Sequence, residues 1–141
     1  MKSPQRSTKR LYLILAVLAA SAITIAGCSS STAATIETVS PSSAAEAIDS
    51  NADAIVLDIR TPEEFEEGII EGAVNIDFYD ADFAEQLDGL DKSADYVVYC
   101  RSGNRSAQAM PTFSELGFTS VIEIDGGISG WYQEGLPVLL P

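Results

Sequence analysis

Short apolar runs that alternate with helix-starting signals constrain this chain more than any other feature. The runs are Ile36–Val39, Ala54–Leu57, Ala73–Ile76, Tyr96–Tyr99 and Val121–Ile124. Strand-like runs separated by helical stretches read as a parallel sheet whose strands are joined by crossover helices. Ala54-Ile55-Val56-Leu57 is apolar without a break, as a strand covered on both faces requires. The connections carry their own punctuation. Ser40-Pro41 is an N-cap and first-turn pair that opens a helix to about Ser50. Thr61 and Glu64 stand three apart as a capping box, starting a short helix that Gly68 ends. Asp80 to Leu87 reads as the next helix, and Ser106 to Leu116 as one closed by Gly117. Pro111 lies inside the latter, where it removes a backbone donor and should bend it. Gly126-Gly127 precede a short final helix containing Trp131. The expectation is an α/β fold in which one domain, residues 36–141, has a central parallel sheet of about five strands flanked by helices.

The chain has 141 residues, room for one ordinary domain. Its apolar fraction of 46% is inflated by the run Leu11 to Ala26. Lys2, Arg6, Lys9 and Arg10 precede that run and small residues end it, the order of a secretory signal. The run is shorter than the roughly 18 apolar residues of a retained span, which is the bland alternative. It closes on Ile25-Ala26-Gly27-Cys28, which resembles the lipobox of bacterial lipoproteins. The resemblance implies that 1–27 is a lipoprotein signal peptide and that Cys28 is lipidated. Residues 28–35 would then be a tether, and the domain would be exported and lipid-anchored to the outer face of the bacterial cell membrane. An ordinary small residue after a cleavage site is the alternative for Cys28.

All 21 acidic residues lie beyond the leader, which itself holds four of the eight bases. The remaining domain is strongly acidic, which argues against nucleic acid and against adsorption to anionic lipid. Its four bases are Arg60, Lys92, Arg101 and Arg105, two of which closely follow Cys100. With Cys28 lipidated, Cys100 is a lone thiol in an oxidising compartment. The alternatives are a Cys28–Cys100 disulfide and an inert buried cysteine, but polar, glycine-containing neighbours argue against an apolar site. The chain contains no histidine, so cysteine–histidine hydrolase chemistry is excluded. No metal site can be assembled from His and Cys ligands, and no cofactor is called for.

The segment Cys100-Arg101-Ser102-Gly103-Asn104-Arg105-Ser106 joins a strand to a helix. Such a junction turns consecutive backbone N–H groups towards the space above the sulfur. Helix N-termini and neighbouring arginines can lower a cysteine pKa from about 8.5 to roughly 3.5–7.5, so Cys100 should rest as a thiolate. Gly103 supplies backbone freedom for the curl. The same donors would select small anionic reactants.

Cys-Arg-Ser-Gly-Asn-Arg-Ser resembles the active-site loop of the rhodanese family. Asp58-Ile59-Arg60-Thr61-Pro62-Glu63-Glu64-Phe65, then Glu67-Gly68 to Gly72-Ala73-Val74-Asn75, and Gly126-Gly127 to Trp131 resemble its other marks, in order. The likeness covers about 36–141. It implies that Cys100 takes a sulfane sulfur as a persulfide and passes it on. The donor would be a small anion such as thiosulfate, and the acceptor a thiol or cyanide. The backbone of Arg101 to Arg105 would hold the persulfide, with the Arg101 and Arg105 side chains tuning the field. Asp58 and Arg60 would brace the loop, and a buried ion pair is as good a reading of those two as substrate contact. Ile69 stands where the family often has histidine, and Glu71 where proline is common. Phosphatases of the same fold place five residues between cysteine and arginine; here four intervene, Arg101 to Asn104, which suits sulfur. A non-catalytic binding module is the other alternative.

Overall fold

The computed structural model describes residues 34–141; the expected signal peptide and Cys28 lie outside them. Ten elements follow in order: β1 (Thr35–Val39), α1 (Pro41–Ser50), β2 (Ile55–Asp58), α2 (Pro62–Glu66), β3 (Val74–Asn75), α3 (Phe83–Asp88), β4 (Asp95–Tyr99), α4 (Asn104–Glu115), β5 (Ser120–Ile124) and α5 (Gly127–Gln133). The five strands form one sheet in the order β1-β5-β4-β2-β3, with every pair parallel. The expected α/β architecture is therefore present, and β4 lies at its centre.

Local chemistry explains the helix starts. Ser40 Oγ accepts from the Ser43 amide at 3.2 Å. Thr61 and Glu64 exchange hydrogen bonds as a full capping box, with Thr61 N donating to Glu64 Oε2 at 3.1 Å. Asp82 makes no such cap, and α3 begins only at Phe83, after turns in which Asp80 N donates to Asp77 O and Phe83 N to Asp80 O. The expected strand Ala73–Ile76 shrinks to two paired residues, because Leu57 and Asp58 alone offer it partners at the sheet edge. α4 runs through Pro111 rather than ending there. Ala107, whose carbonyl loses its helical donor, is exposed and can be hydrated instead.

The two faces of the sheet bury different cores. Leu57, Ile59, Tyr96, Val98, Cys100 and Val121 face α3 and α4, packing with Phe83, Leu87, Ala109 and Phe113. Val56, Val97, Tyr99 and Ile124 face α1 and α5, packing with Ala44 and Trp131. Alternation along β4 thus sends Cys100 and Tyr99 to opposite faces. Each fully buried Leu or Phe in these layers stabilises the domain by about 1.5–3 kcal/mol.

Candidate active site

Cys100 follows the last residue of β4, and the chain then curls into α4. Its side chain is 1% exposed and packs among Leu57, Ile59 and Val98. The expectation that polar neighbours keep it out of apolar surroundings thus needs correction, because strand parity points Cβ into the core. The sulfur nonetheless meets polar atoms. Gly103 N donates to Sγ at 3.2 Å, and Ser106 Oγ lies 3.4 Å away. Burial pushes the Cys100 thiol up, but the Ser106 hydroxyl and the amides of Ser106, Ser102 and Gly103 outweigh it and hold the thiol below its ordinary range. Gly103 sits at φ +88°, the left-handed conformation the curl requires. A Cβ there would also press on Gly126 N at 3.2 Å.

The first turn of α5 holds the loop from behind. Ile128 N donates to Cys100 O at 2.9 Å and Ser129 N to Arg101 O at 3.0 Å, so otherwise unpaired amides of a helix start satisfy the loop's carbonyls. Gly127 is where this approach is closest, since a Cβ on it would collide with the Cys100 carbonyl oxygen. The sequence marks Gly126-Gly127 as a motif, but that they clamp the loop emerges only in three dimensions.

The arginines divide. Arg105 Nη1 and Nη2 donate to Glu64 Oε2 and Oε1 at 2.7 and 2.8 Å, a bidentate pair. Its guanidinium also lies over the exposed ring of Tyr79, 5.4 Å from the centroid. Hydrogen bonding to Arg105 holds the Glu64 carboxyl below the usual range. Arg105 therefore reaches the site with its charge largely answered. Arg101 remains 63% exposed, 3.6 Å from Glu64. Asn104 turns away from the sulfur, its Oδ1 accepting from Gln108 Nε2 at 2.7 Å.

Asp58 and Arg60 do not brace the loop. Asp58 pairs with Tyr99 in register, so its side chain falls on the sheet face opposite Cys100. Arg60 Nε donates to both Asp58 oxygens at 2.9 Å, and Nη2 donates to Gly68 O at 2.7 Å. The guanidinium stacks over the Tyr99 ring at 5.5 Å. Neither side chain hydrogen-bonds to residues 100–106. The buried ion pair is present, and its hydrogen bonds tie the end of β2 to the Gly68 turn. Arg60 also lines a cleft of ≈ 370 Å³ beside the loop, with Arg101, Gly68, Ser129 and Tyr132.

Two carboxylates were not foreseen in these roles. Glu64 was visible as a cap but not as the anchor of Arg105. Glu123, 3% exposed on β5, accepts from Ser106 Oγ at 2.6 Å and from Thr38 Oγ1 at 2.8 Å. A signal did exist, because a lone acid inside Val121-Ile122-Glu123-Ile124, a strand covered on both faces, has to be buried and hydrogen-bonded.

A strand-end cysteine under a curl of amides suits a thiolate or a small anion, and comparison with known proteins narrows the class. The profile of the Rhodanese-like domain family matches residues 40–134. The chain is 36% identical over 89 residues to a sulfurtransferase of Allochromatium vinosum, covering 63% of this chain and 81% of that protein. It is 40% identical over 91 residues to thiosulfate sulfurtransferase 16 of Arabidopsis thaliana chloroplasts, covering 57% and 76%. Among solved structures, a rhodanese-related protein from Thermoplasma volcanium superposes with a TM-score of 0.66 at 33% identity, covering 74% of this chain and 99% of that one. The chain belongs to the rhodanese-like domain family.

Proposed function

We propose that this protein is an extracytoplasmic sulfurtransferase that moves sulfane sulfur from thiosulfate or a persulfide to a thiophilic acceptor through a persulfide on Cys100. The observation that carries this reading is the sulfur at the end of β4, with Gly103 N at 3.2 Å and Ser106 Oγ at 3.4 Å. With thiosulfate, the Cys100 thiolate attacks the outer sulfur and a new S–S bond forms. The S–S bond of thiosulfate breaks, and sulfite departs with the electron pair. The negative charge then rests on the terminal sulfur of Cys100–S–S⁻, which amides of the Arg101–Arg105 curl receive. Cyanide or a thiolate acceptor attacks that terminal sulfur, and the Cys100 thiolate is regenerated.

The Arg105–Glu64 pair supports sulfur over phosphate. Four residues separate Cys100 from Arg105, and the guanidinium is committed to a carboxylate rather than left free for a dianionic phosphoryl group. The lipobox-like Ile25-Ala26-Gly27-Cys28 supports a tethered protein on the outer face of the bacterial membrane. The full-length protein, mixed with thiosulfate and cyanide, is expected to form thiocyanate, and Cys100→Ser to form none. Turnover that survives Cys100→Ser, or none in the wild type, overturns the reading. Cys28→Ala is expected to release the domain or leave uncleaved precursor; unchanged processing and retention would remove the anchor from the proposal.

A further inference from the structure

Ser106 stands among three groups that compete for its single proton: Cys100 Sγ, Glu123 Oε1 and, at 3.2 Å, the Gly103 carbonyl. Its hydroxyl lies 3.4 Å from Cys100 Sγ and 2.6 Å from Glu123 Oε1. The sheet puts Cys100, Ser106 and Glu123 on one face. Glu123 pairs in register with Val98, the residue two before Cys100, and with Thr38 across β1. Thr38 Oγ1 donates to the second Glu123 oxygen at 2.8 Å, so both carboxylate oxygens are held by hydroxyls in a site 3% exposed. A hydroxyl has one hydrogen, and the shortest contact, to a carboxylate, draws it most. With that proton shared with Glu123, Ser106 donates less to the sulfur than an unshared hydroxyl would.

We infer that Glu123 is a positioning residue for Cys100: its carboxylate competes with the sulfur for the Ser106 hydroxyl and, as a buried anion behind it, opposes the free thiolate. The functional meaning rests on the reading of Cys100 as sulfur carrier. Other groups around the sulfur do not supply this effect. From α4, Arg105 is paired to Glu64 of α2, and Arg101 of the loop is exposed. β2 and α3 present Leu57, Ile59, Phe83 and Leu87, while Asp58 and Arg60 lie across the sheet. α5 offers backbone amides to the loop's carbonyls.

The consequence is a thiol kept more basic than the amide curl alone would leave it. A more basic thiolate is intrinsically the stronger nucleophile. When Cys100 becomes Cys100–S–S⁻ the charge moves one bond outward, away from Ser106 and Glu123 and towards the loop amides. Glu123 thereby opposes the empty thiolate more than the loaded persulfide.

The test is the pH dependence of Cys100 alkylation by iodoacetamide in the full-length protein, read by peptide mass so that Cys28 is counted separately. Glu123→Gln keeps shape and hydrogen-bonding capacity but removes the charge. Its amide either frees the Ser106 proton for the sulfur or merely ceases to repel it. Two anions within about 6 Å at an effective dielectric of about 20 interact by up to roughly two pH units. The midpoint is therefore expected to fall by about one unit or more in Glu123→Gln, and by a smaller amount in a Ser106→Ala background, where direct repulsion alone remains. An unchanged or raised midpoint in Glu123→Gln overturns the inference, as does a shift undiminished without Ser106. Should Glu123→Gln not fold, the wild-type protein decides. The Glu123 side-chain carbonyl carbon, followed by NMR, must show an inflection at the pH where Cys100 ionises, and a flat signal there overturns the inference. Thiocyanate formation by the same wild-type sample separates this from the functional reading. A coupled titration without turnover sinks sulfur transfer alone, and turnover without coupling sinks the role of Glu123 alone.

Discussion

Two hydrogen-bonded arginine–carboxylate pairs sit near the Cys100 loop, one on each side of the sheet, and they differ in depth. Arg60–Asp58 is sealed, with side chains 4% and 0% exposed, stacked on Tyr99 and tied to the Gly68 carbonyl. Arg105–Glu64 lies at the rim, with side chains 12% and 14% exposed, and links α4 to α2 beside the sulfur. A sealed pair is held at a large desolvation cost that its own hydrogen bonds must offset, so removing one member leaves a buried charge with nothing to answer it. A rim pair has water as a partial substitute. The lesson is that the same two residue types serve the framework in one place and the site in the other, according to the sheet face and depth at which they stand.

The comparison breaks most visibly at Asp58. Asp58→Asn should cost about 3–5 kcal/mol by leaving Arg60 buried and unpaired. Thermal unfolding checks this, and the protein that remains folded should keep the Cys100 alkylation rate of the wild type. Gly127→Ala comes next. A methyl group there collides with the Cys100 carbonyl, at a backbone φ of +58° that disfavours any side chain. A loss of about 2–3 kcal/mol is expected, with at least a tenfold fall in thiocyanate turnover as the loop shifts. Equal loss of turnover in Asp58→Asn and Gly127→Ala molecules that remain folded would erase the distinction between framework and site.

Glu64→Gln sharpens the rim side. It should cost about 1–2 kcal/mol at pH 7, less than Asp58→Asn, because Arg105 can reach water. The Glu64 carboxyl is held below its ordinary value of 4.5, mainly by Arg105. Its contribution is therefore complete above that value and lost as pH falls through the lowered folded one. Denaturant unfolding of wild type and Glu64→Gln should accordingly differ at pH 7 and converge in acid below pH 4.5; a constant gap would contradict the pairing. Arg101→Ala is the smallest change. An exposed arginine 3.6 Å from a carboxylate already engaged elsewhere should alter stability by no more than about 0.5 kcal/mol.

The difference between the two pairs also marks how far the sequence could be read. Order and type of the elements were legible because apolar runs, the Ser40-Pro41 and Thr61–Glu64 signals and the final glycines each act locally. So was the placement of Cys100, since a strand leading into a glycine-containing loop and a helix has few alternatives. Side-chain partners were less legible. Asp58 and Arg60 were read as supports for the loop because they end a neighbouring strand, yet strand parity, fixed by the Asp58–Tyr99 register, turns them to the far face. Cys100 was read as lying away from apolar groups for the same lack of parity. Glu64 declared its local bond to Thr61 but not the distant one to Arg105, 41 residues on. Glu123 was hidden within a strand read only for its hydrophobicity. In each case the missing information was the strand parity or the long-range packing that sets which side chains meet.

Cys100 carries the sulfur in the proposed transfer, and mass spectrometry of the full-length protein after thiosulfate reads this directly. The peptide containing Cys100 should gain the mass of one sulfur atom, lose it on addition of cyanide as thiocyanate appears, and gain nothing in Cys100→Ser. A wild-type peptide that stays unmodified under thiosulfate, or an adduct that cyanide leaves in place, would contradict the account.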